Sequence, residues 1–190
     1  MNSMVRLGGT LLAISAIAAL ALGATNQVTA PVIEQRNIQA NNELRKAVLP
    51  EAKEFKEMKE DTYKGLGDDL IAEVYEGLDG SEVVGYTLKA KPSGYGGEIE
   101  VMVGISSEGQ VTGVDIGNMS ETAGLGAKAK DDAFKGQYKG KTAEPLEVAK
   151  GSTTADNQIL AISGATITST AVTTGVNAAI EIGRAHVWTP

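Results

Sequence analysis

The chain has 190 residues, with 24 acidic and 17 basic side chains, one His and no Cys. This length suits one domain with an appendage. The absence of cysteine excludes disulfides, thiolate zinc sites, iron–sulfur clusters and Cys nucleophiles. The net charge of −7 argues against a nucleic-acid partner, which needs a basic face. Any redox chemistry therefore depends on an organic cofactor.

Residues 1–33 are predicted to form a membrane anchor. Residues 7–33 carry no charge, and at ~1.5 Å per residue such a helix can cross a ~30 Å hydrocarbon core. The alternative is a secretory signal peptide cleaved near Gly23 and Ala24. The anchor is favoured because the uncharged run continues beyond a short signal-peptide core. In both cases we expect the rest of the chain outside the cytoplasm, although the basic residues flanking the span do not settle its orientation.

The following residues, 34–66, are predicted to be a helical connector. Charged and apolar positions alternate from 34 to 64, which is typical of a surface helix, and Pro50 is expected to break it.

Residues 67–182 are predicted to form one α+β domain with a twisted, mainly antiparallel sheet and flanking helices. Short connections rich in glycine separate the apolar runs, which favours antiparallel pairing over βαβ crossovers. A stripe at Val172, Val176 and Ile180 indicates a helix near the C-terminal end. The predicted strands are 70–75, 83–90, 99–105, 111–116 and 146–149, and the predicted helices are 127–138 and 169–182.

The last residues, 183–190, are predicted to be a non-native tail. The stretch 182–190 resembles the translation of a common sequencing-adapter oligonucleotide, and the alternative is an ordinary frayed terminus. We assign no function to His186 or Trp188, the only His and Trp of the chain.

The most informative stretch is 161–170, Ala-Ile-Ser-Gly-Ala-Thr-Ile-Thr-Ser-Thr. An apolar run turns through Gly164 into a helix start that is rich in hydroxyl groups. First-turn amides lack partners within the helix and the helix dipole favours negative charge, so the pattern indicates an anion site. The alternative is simple helix capping by Thr168 or Ser169, which needs no ligand.

Three motifs in this order resemble one known family. Residues 163–166 (Ser-Gly-Ala-Thr) look like the flavinylation motif of the FMN-binding domain that is shared by the G subunit of the Rnf electron transport complex and the C subunit of the sodium-pumping NADH:quinone oxidoreductase. Residues 120–126 resemble the family's Glu-Thr-Pro-Gly-Leu-Gly stretch, and residues 94–97 (Gly-Tyr-Gly-Gly) are a third match. The likeness runs from about residue 5 to 182, and the anchor fits the Rnf protein especially well.

The resemblance implies that FMN is attached to Thr166 by a phosphoester bond, installed by a separate flavin transferase. It places the loop 121–126 beside the flavin, whereas the pattern alone also allows a glycine-rich connection there and a plain turn at 94–97. The implied cofactor-binding residues are Thr166, Ser163, Gly164, Ala165, Thr168, Glu121, Thr122, Leu125 and Gly126.

Two positions depart from the family pattern. Leu160 stands where the transferase motif usually has an acidic residue, three positions before Ser163, which would make modification of Thr166 inefficient if the transferase requires that acid. Ala123 stands where the family often has Pro, which would loosen the loop without removing a functional group.

The resemblance implies an electron-carrying subunit of a membrane complex that couples ferredoxin and NAD redox chemistry to Na⁺ or H⁺ movement. Its partners would be the other subunits of the complex, the flavin transferase and the membrane. The predicted span has no acid, base or histidine, so it is a poor candidate for the ion path, and no catalytic or metal-binding residue is predicted. The alternatives are a stand-alone extracytoplasmic FMN protein for extracellular electron transfer and a non-redox anchored module.

Overall fold

The computed structural model describes residues 3–67, 70–142 and 144–187, with only the backbone of His186 and Val187. The chain divides into two compact units, one reaching to Asn41 and the other starting at Asn42.

The first unit consists of most of a single long helix, α1 (Ser3–Val48). Its N-terminal part is exposed throughout and is apolar, with a mean hydropathy of 2.0 over its most apolar window. Among the described residues it is the one helix long and apolar enough to cross a membrane. The helix continues past residue 33 without a break and ends two residues before Pro50, because a residue that precedes proline disfavours the helical conformation.

A five-stranded antiparallel sheet dominates the second unit, with its strands in sequence order. Each connection joins neighbouring strands, as the short spacing predicted. The strands are β1 (Glu54–Glu57), β2 (Ile71–Asp79), β3 (Glu82–Ala90), β4 (Ile99–Ser106) and β5 (Val111–Met119).

The prediction of a helical connector over 34–66 is wrong for its second half, which contains strand β1. Its four residues pair with β2, in a register that places Phe55 opposite Gly77. Sheet pairing overrides helix propensity here because each charged residue of β1 finds solvent or a cross-strand partner, such as Lys56 with Glu76 at 3.7 Å. Residues 34–66 are therefore helical only as far as Val48, apart from a single 3₁₀ turn at Glu60–Thr62.

The prediction of one helix over 127–138 is also wrong, because this segment forms three short helical elements. Asp131 is extended, with φ −71° and ψ 139°, and separates a 3₁₀ turn at Gly126–Lys130 from α2 (Asp132–Lys135). A second 3₁₀ turn follows at Gly136–Tyr138. The chain continues through the parallel pair β6 (Glu147–Ala149) and β7 (Gln158–Leu160) to the last helix, α3 (Thr166–Val187).

Helix α3 packs on one face of the sheet and forms the main core with it. One row of this face, Val74, Leu88, Val103 and Val114, runs across four paired strands and is buried. The predicted stripe of Val172, Val176 and Ile180 on α3 is buried as well. The helix begins three residues earlier than predicted and continues to Val187, so that Gly183 is buried near Ile105. Trp188 lies outside the described residues.

The opposite face of the sheet carries the end of α1. A Cβ atom on any of four sheet glycines would meet Val48 or Leu49, so these glycines form a groove across neighbouring strands. Val48 is 1% exposed and Leu49 is fully buried. The four glycines are Gly77, Gly85, Gly104 and Gly113.

Candidate functional site

The turn between β7 and α3 brings the Ser-Gly-Ala-Thr motif to the start of the helix. The amide of Ala165 donates to the carbonyl of Ile162 at 2.9 Å. Gly164 has φ +77°, a left-handed conformation that other residues adopt only with strain. The glycine is therefore required by the turn, and the turn makes Thr166 the first helical residue.

The buried side chain of Ser169 stabilises this turn. The Ser169 hydroxyl accepts a hydrogen bond from the Ile162 amide at 2.9 Å and donates to the Ala165 carbonyl at 3.0 Å. Because α3 begins at Thr166, Thr168 and Ser169 lie inside the first turn and do not cap the helix as the alternative interpretation required.

Hydrogen bonds link Ser169 to two further buried side chains, Thr173 and Tyr138. Thr173 donates to the carbonyl of Ser169 at 2.9 Å, and the Tyr138 hydroxyl lies 2.8 Å from the Thr173 hydroxyl. Burial raises the pKa of Tyr138 far above its ordinary value, although the hydrogen bond with Thr173 opposes the shift. Tyr138 therefore remains neutral and supports the helix start as a packed, hydrogen-bonded side chain.

The first turn of α3 leaves polar groups free for a ligand. The Ser169 amide is the first to reach a carbonyl within the turn, at 3.0 Å from that of Ala165. Within the described ranges, the amides of 166–168 and the hydroxyl of Thr166 have no hydrogen-bond partner. Free amides at the positive end of a helix dipole attract an anion.

The loop 120–126 follows β5 and lies against this helix start. Glu121 accepts a hydrogen bond from the Thr168 hydroxyl at 2.6 Å and another from the Gly96 amide at 3.0 Å. Burial alone would raise the pKa of Glu121, but the hydrogen bonds from Thr168, Gly96 and the Tyr95 amide together hold that pKa below its ordinary value. One ionised carboxylate therefore joins the three sequence motifs.

Gly126 allows the loop and the helix to approach each other. Its α-carbon is buried, and a Cβ atom there would lie 2.6 Å from the Thr168 hydroxyl oxygen and closer still to the Glu121 carboxylate. Only glycine leaves space for the hydrogen bond between these two side chains.

The motifs enclose one cleft of about 550 Å³. Eight of the nine residues predicted to bind a cofactor line it, and Ser163 is exposed outside the lining. Thr168 lines the cleft, but its hydroxyl proton is engaged with Glu121, so it is not available to donate to a phosphate. The lining residues are Tyr95, Glu121, Thr122, Leu125, Gly126, Gly164, Ala165, Thr166, Ile167 and Thr168.

Sequence reasoning missed two of these lining residues, Tyr95 and Ile167. Tyr95 lies within the Gly-Tyr-Gly-Gly motif, so the signal was present, but a plain turn explained that motif equally well. Ile167 follows Thr166 in α3, and an isoleucine at this position would be expected in the core, but it is 57% exposed. Across the described ranges, no three His, Cys, Asp or Glu side chains converge as in a metal site.

Comparison with known proteins gives the family. The profile of the FMN-binding domain matches residues 94–181. The chain is 46% identical to the G subunit of the Na⁺-translocating ferredoxin:NAD⁺ oxidoreductase complex of Acetobacterium woodii, over 93% of this chain and 90% of the relative. It is 36% identical to the G subunit of the proton-translocating ferredoxin:NAD⁺ oxidoreductase complex of Clostridium ljungdahlii, over 87% and 83% of the two chains.

Two crystal structures share the fold. One is NqrC of Shewanella oneidensis, with a TM-score of 0.53 and 20% identity over 76% of this chain and 71% of that protein. The other is the C subunit of the Na⁺-translocating NADH-quinone reductase of Parabacteroides distasonis, with a TM-score of 0.53 and 21% identity over 73% and 79%. These two proteins show the fold alone. The similarity to the two G subunits extends over at least 83% of each chain, and it shows that the chain belongs to the G-subunit family of Rnf-type ion-translocating oxidoreductase complexes, with an FMN-binding domain.

Proposed function

We propose that the protein carries electrons through FMN covalently attached to Thr166, as the membrane-anchored flavoprotein subunit of an Rnf-type complex. In this complex, ferredoxin and NAD redox chemistry is coupled to ion movement, as the names of its two G-subunit relatives state for theirs. The observation that carries the proposal is the position of Thr166, which lines the cleft, has a hydroxyl with no hydrogen-bond partner among the described residues, and lies beside the unpaired amides of α3.

The cleft suits this cofactor in size and chemistry. Its volume of about 550 Å³ is within the range of small-ligand sites. The amides of 166–168 match a phosphate group, and the apolar side chains of Leu125 and Ile167 match an aromatic ring system. Glu121 is ionised, and hydrogen bonds from the Thr168 hydroxyl and the Gly96 amide engage both of its oxygens, so neither oxygen needs a partner from the ligand.

The attachment needs an activated flavin donor. A phosphoester with Thr166 forms when its hydroxyl oxygen attacks a flavin phosphate, and the hydroxyl proton passes to a base. We infer that the donor is a flavin dinucleotide held by a transferase, whose pyrophosphate bond breaks as the new oxygen–phosphorus bond forms. A nucleoside monophosphate leaves, and no electron is exchanged in this step.

The chain's own residues then hold the cofactor. FMN supplies one- and two-electron transfer when it is bound. The amides at the start of α3 bind its phosphate, the turn at Gly164 orients Thr166, and the apolar side chains of the cleft limit the access of water. The covalent bond keeps the flavin on a protein whose domain we place outside the cytoplasm, where lost cofactor would not be recovered.

The composition of the predicted membrane span indicates that ion movement takes place in other subunits. The uncharged stretch 7–33 offers no ionisable group for an ion path. Ion movement is therefore assigned to other subunits of the complex, and this protein supplies an electron-transfer step.

The test is coexpression of the full chain with a flavin transferase, followed by in-gel fluorescence and intact mass. The wild type is expected to fluoresce after denaturation and to gain the mass of one FMN less one water. Thr166→Val should abolish both signals, whereas Thr166→Ser should retain them. Thr170→Val, which alters an exposed threonine one turn later, is the matched control and should behave as wild type. Flavin retained by Thr166→Val after denaturation would refute the attachment site.

A further inference from the structure

The exposed apolar side chains of the second unit are concentrated at the cleft. Beyond α1, four large apolar side chains of the described residues are exposed, namely Tyr95, Leu125, Leu160 and Ile167. Three of them line the same cleft, Leu160 being the exception. Clustered exposed apolar groups indicate a binding surface, whereas scattered single ones need no explanation.

Tyr95 is the most exposed of the three, at 72%, yet its backbone is tightly held. The Gly94 amide donates to the Gly97 carbonyl at 2.7 Å, and the flanking residues Ser93 and Glu98 form a β-bridge. The Gly96 amide is bound by Glu121. The loop is thus fixed on both sides of an exposed aromatic ring.

The neighbouring glycines show that the loop is packed against the rest of the site. A Cβ atom on Gly94 would lie 2.6 Å from Ile99, and one on Gly96 would collide with the backbone of Ser120. Tyr95 is therefore the only side chain that residues 94–97 present, and the structure places it in the lining of the cleft.

We propose that Tyr95 stacks against the flavin ring and shields it from solvent, with Leu125 and Ile167 providing further apolar contact. This inference rests on the proposed function, since it concerns the ring of an FMN attached at Thr166. A tyrosine ring offers a flat apolar face of the kind that stacks with aromatic systems, while its hydroxyl can remain in water. Because the loop is already ordered, binding loses little conformational entropy at this residue.

The shielding follows from the position of Tyr95, which lines the cleft with a side chain that is 72% exposed. A ring held only by the first turn of α3 would be open to water and to small oxidants. An aromatic side chain across the ring reduces that access and leaves room for electron transfer through the remaining edge. Tyr95 is thus a positioning residue for the flavin ring, acting independently of the covalent bond.

Flavin fluorescence tests this proposal directly, because a stacked tyrosine quenches an excited flavin by donating an electron and phenylalanine does not. Full-length wild type, Tyr95→Ala, Tyr95→Phe and the control Tyr86→Phe are coexpressed with a flavin transferase. For each protein, emission of the folded sample is divided by emission after unfolding, which corrects for the amount of attached flavin. Quenching by iodide then reports how accessible the ring is.

The wild type and Tyr86→Phe should show strongly reduced folded emission and slow quenching by iodide. Tyr95→Ala should raise the folded emission several-fold and also increase the iodide quenching. Tyr95→Phe should raise the emission but keep the low iodide quenching, because the phenyl ring still covers the flavin.

Two other outcomes have different meanings. If Tyr95→Ala carries as much flavin as wild type and leaves emission and iodide quenching unchanged, the stacking is refuted while the proposed function stands. If the wild type releases no flavin fluorescence on unfolding, the proposed function fails and the stacking fails with it.

Discussion

The Thr168 hydroxyl donates a hydrogen bond of 2.6 Å to Glu121, although 47 residues separate the two in the chain. The other oxygen of the same carboxylate accepts the Gly96 amide. Glu121 therefore holds together the glycine loop, the loop after β5 and the start of α3. The three motifs are therefore one structural unit, which explains why they occur together in the sequence.

We expect Glu121→Gln to destabilise the fold by about 1 to 2 kcal/mol at neutral pH. The amide keeps the shape but loses the charge that strengthens both hydrogen bonds, and its NH2 group can only donate, so the Thr168 hydroxyl would have to turn and accept. Urea unfolding of the full chain in detergent measures the loss. The control is Glu108→Gln in an exposed turn, which should leave stability unchanged, and an equal loss in both variants would contradict the role of Glu121.

The difference in the free energy of unfolding between wild type and Glu121→Gln should depend on pH. The pKa of Glu121 lies below its ordinary value of 4.5, so the ionised carboxylate stabilises the folded state above that value. This stabilisation is lost as the pH falls through the folded-state pKa. The difference between wild type and Glu121→Gln should therefore be constant from pH 7 to about 5 and shrink in more acidic solution. A difference that persists fully at pH 2 would contradict this assignment.

Gly126→Ala tests the close approach of loop and helix. A methyl group would fall 2.6 Å from the Thr168 hydroxyl oxygen and would separate it from Glu121. We expect a loss of about 1 to 3 kcal/mol and a reduced fraction of attached flavin. Gly136→Ala is the matched control, because its φ is −65° and nothing lies within 4 Å of the new atom. That change should be neutral or stabilise by about 0.4 to 1 kcal/mol.

The sequence predicted the sheet better than the segments that lead into it. Strands β2 to β5 follow from alternating apolar residues and glycine turns, which are local signals. Strand β1 was missed because its Glu-Phe-Lys-Glu run also suits a helix, and only the free edge of β2 decides between the two. In the candidate site, the motifs supplied eight of the ten residues that line the cleft. The contact between Glu121 and Thr168 was not predicted, because the two residues lie 47 positions apart and no local pattern encodes it.

The buried Arg45 gives the end of α1 a specific place on the sheet. Its guanidinium lies 3.6 Å from the ring centre of Tyr75 and 2.5 Å from the Glu73 carboxylate. Glu73 also pairs with the buried Lys89 at 3.2 Å. The glycine groove that receives Val48 and Leu49 lies on the same face of the sheet, so residues after Asn41 belong to the folded domain.

We expect Arg45→Ala to reduce the free energy of unfolding by about 3 kcal/mol. Removing one member of a buried pair leaves the other incompletely compensated, and the partial exposure of Glu73 places the loss at the lower end of the usual range. Arg36→Ala, at an exposed position of α1, is the control and should change stability by less than about 0.5 kcal/mol. Equal stability of the two variants in urea unfolding would show that Arg45 does not anchor the helix end.

The orientation of the domain can be measured because the chain contains no cysteine. Ser81→Cys introduces a single thiol in the exposed turn between β2 and β3. If the domain is outside the cytoplasm, a membrane-impermeant maleimide should label this thiol in intact cells as fully as in lysed cells. A control thiol in a cytoplasmic protein should react only after lysis, and labelling of Ser81→Cys that also requires lysis would place the domain inside.

Leu160 occupies the position where the flavinylation motif that residues 163–166 resemble usually has an acid. The Gln137 side chain binds both backbone groups of Leu160, accepting its amide at 2.7 Å and donating to its carbonyl at 3.2 Å. The Leu160 side chain is 39% exposed and does not line the cleft. An acid at this position would therefore face solvent outside the lining of the cleft.

We expect Leu160→Asp to increase the fraction of protein modified at Thr166 during limited coexpression with a flavin transferase. The absorption spectrum of the attached flavin should not change, because position 160 does not line the cleft. Intact mass gives the modified fraction, and Ser152→Asp, an exposed acid placed elsewhere, controls for a general effect of charge. An unchanged fraction would show that the transferase does not read this position, and a shifted flavin spectrum would show that position 160 reaches the cofactor.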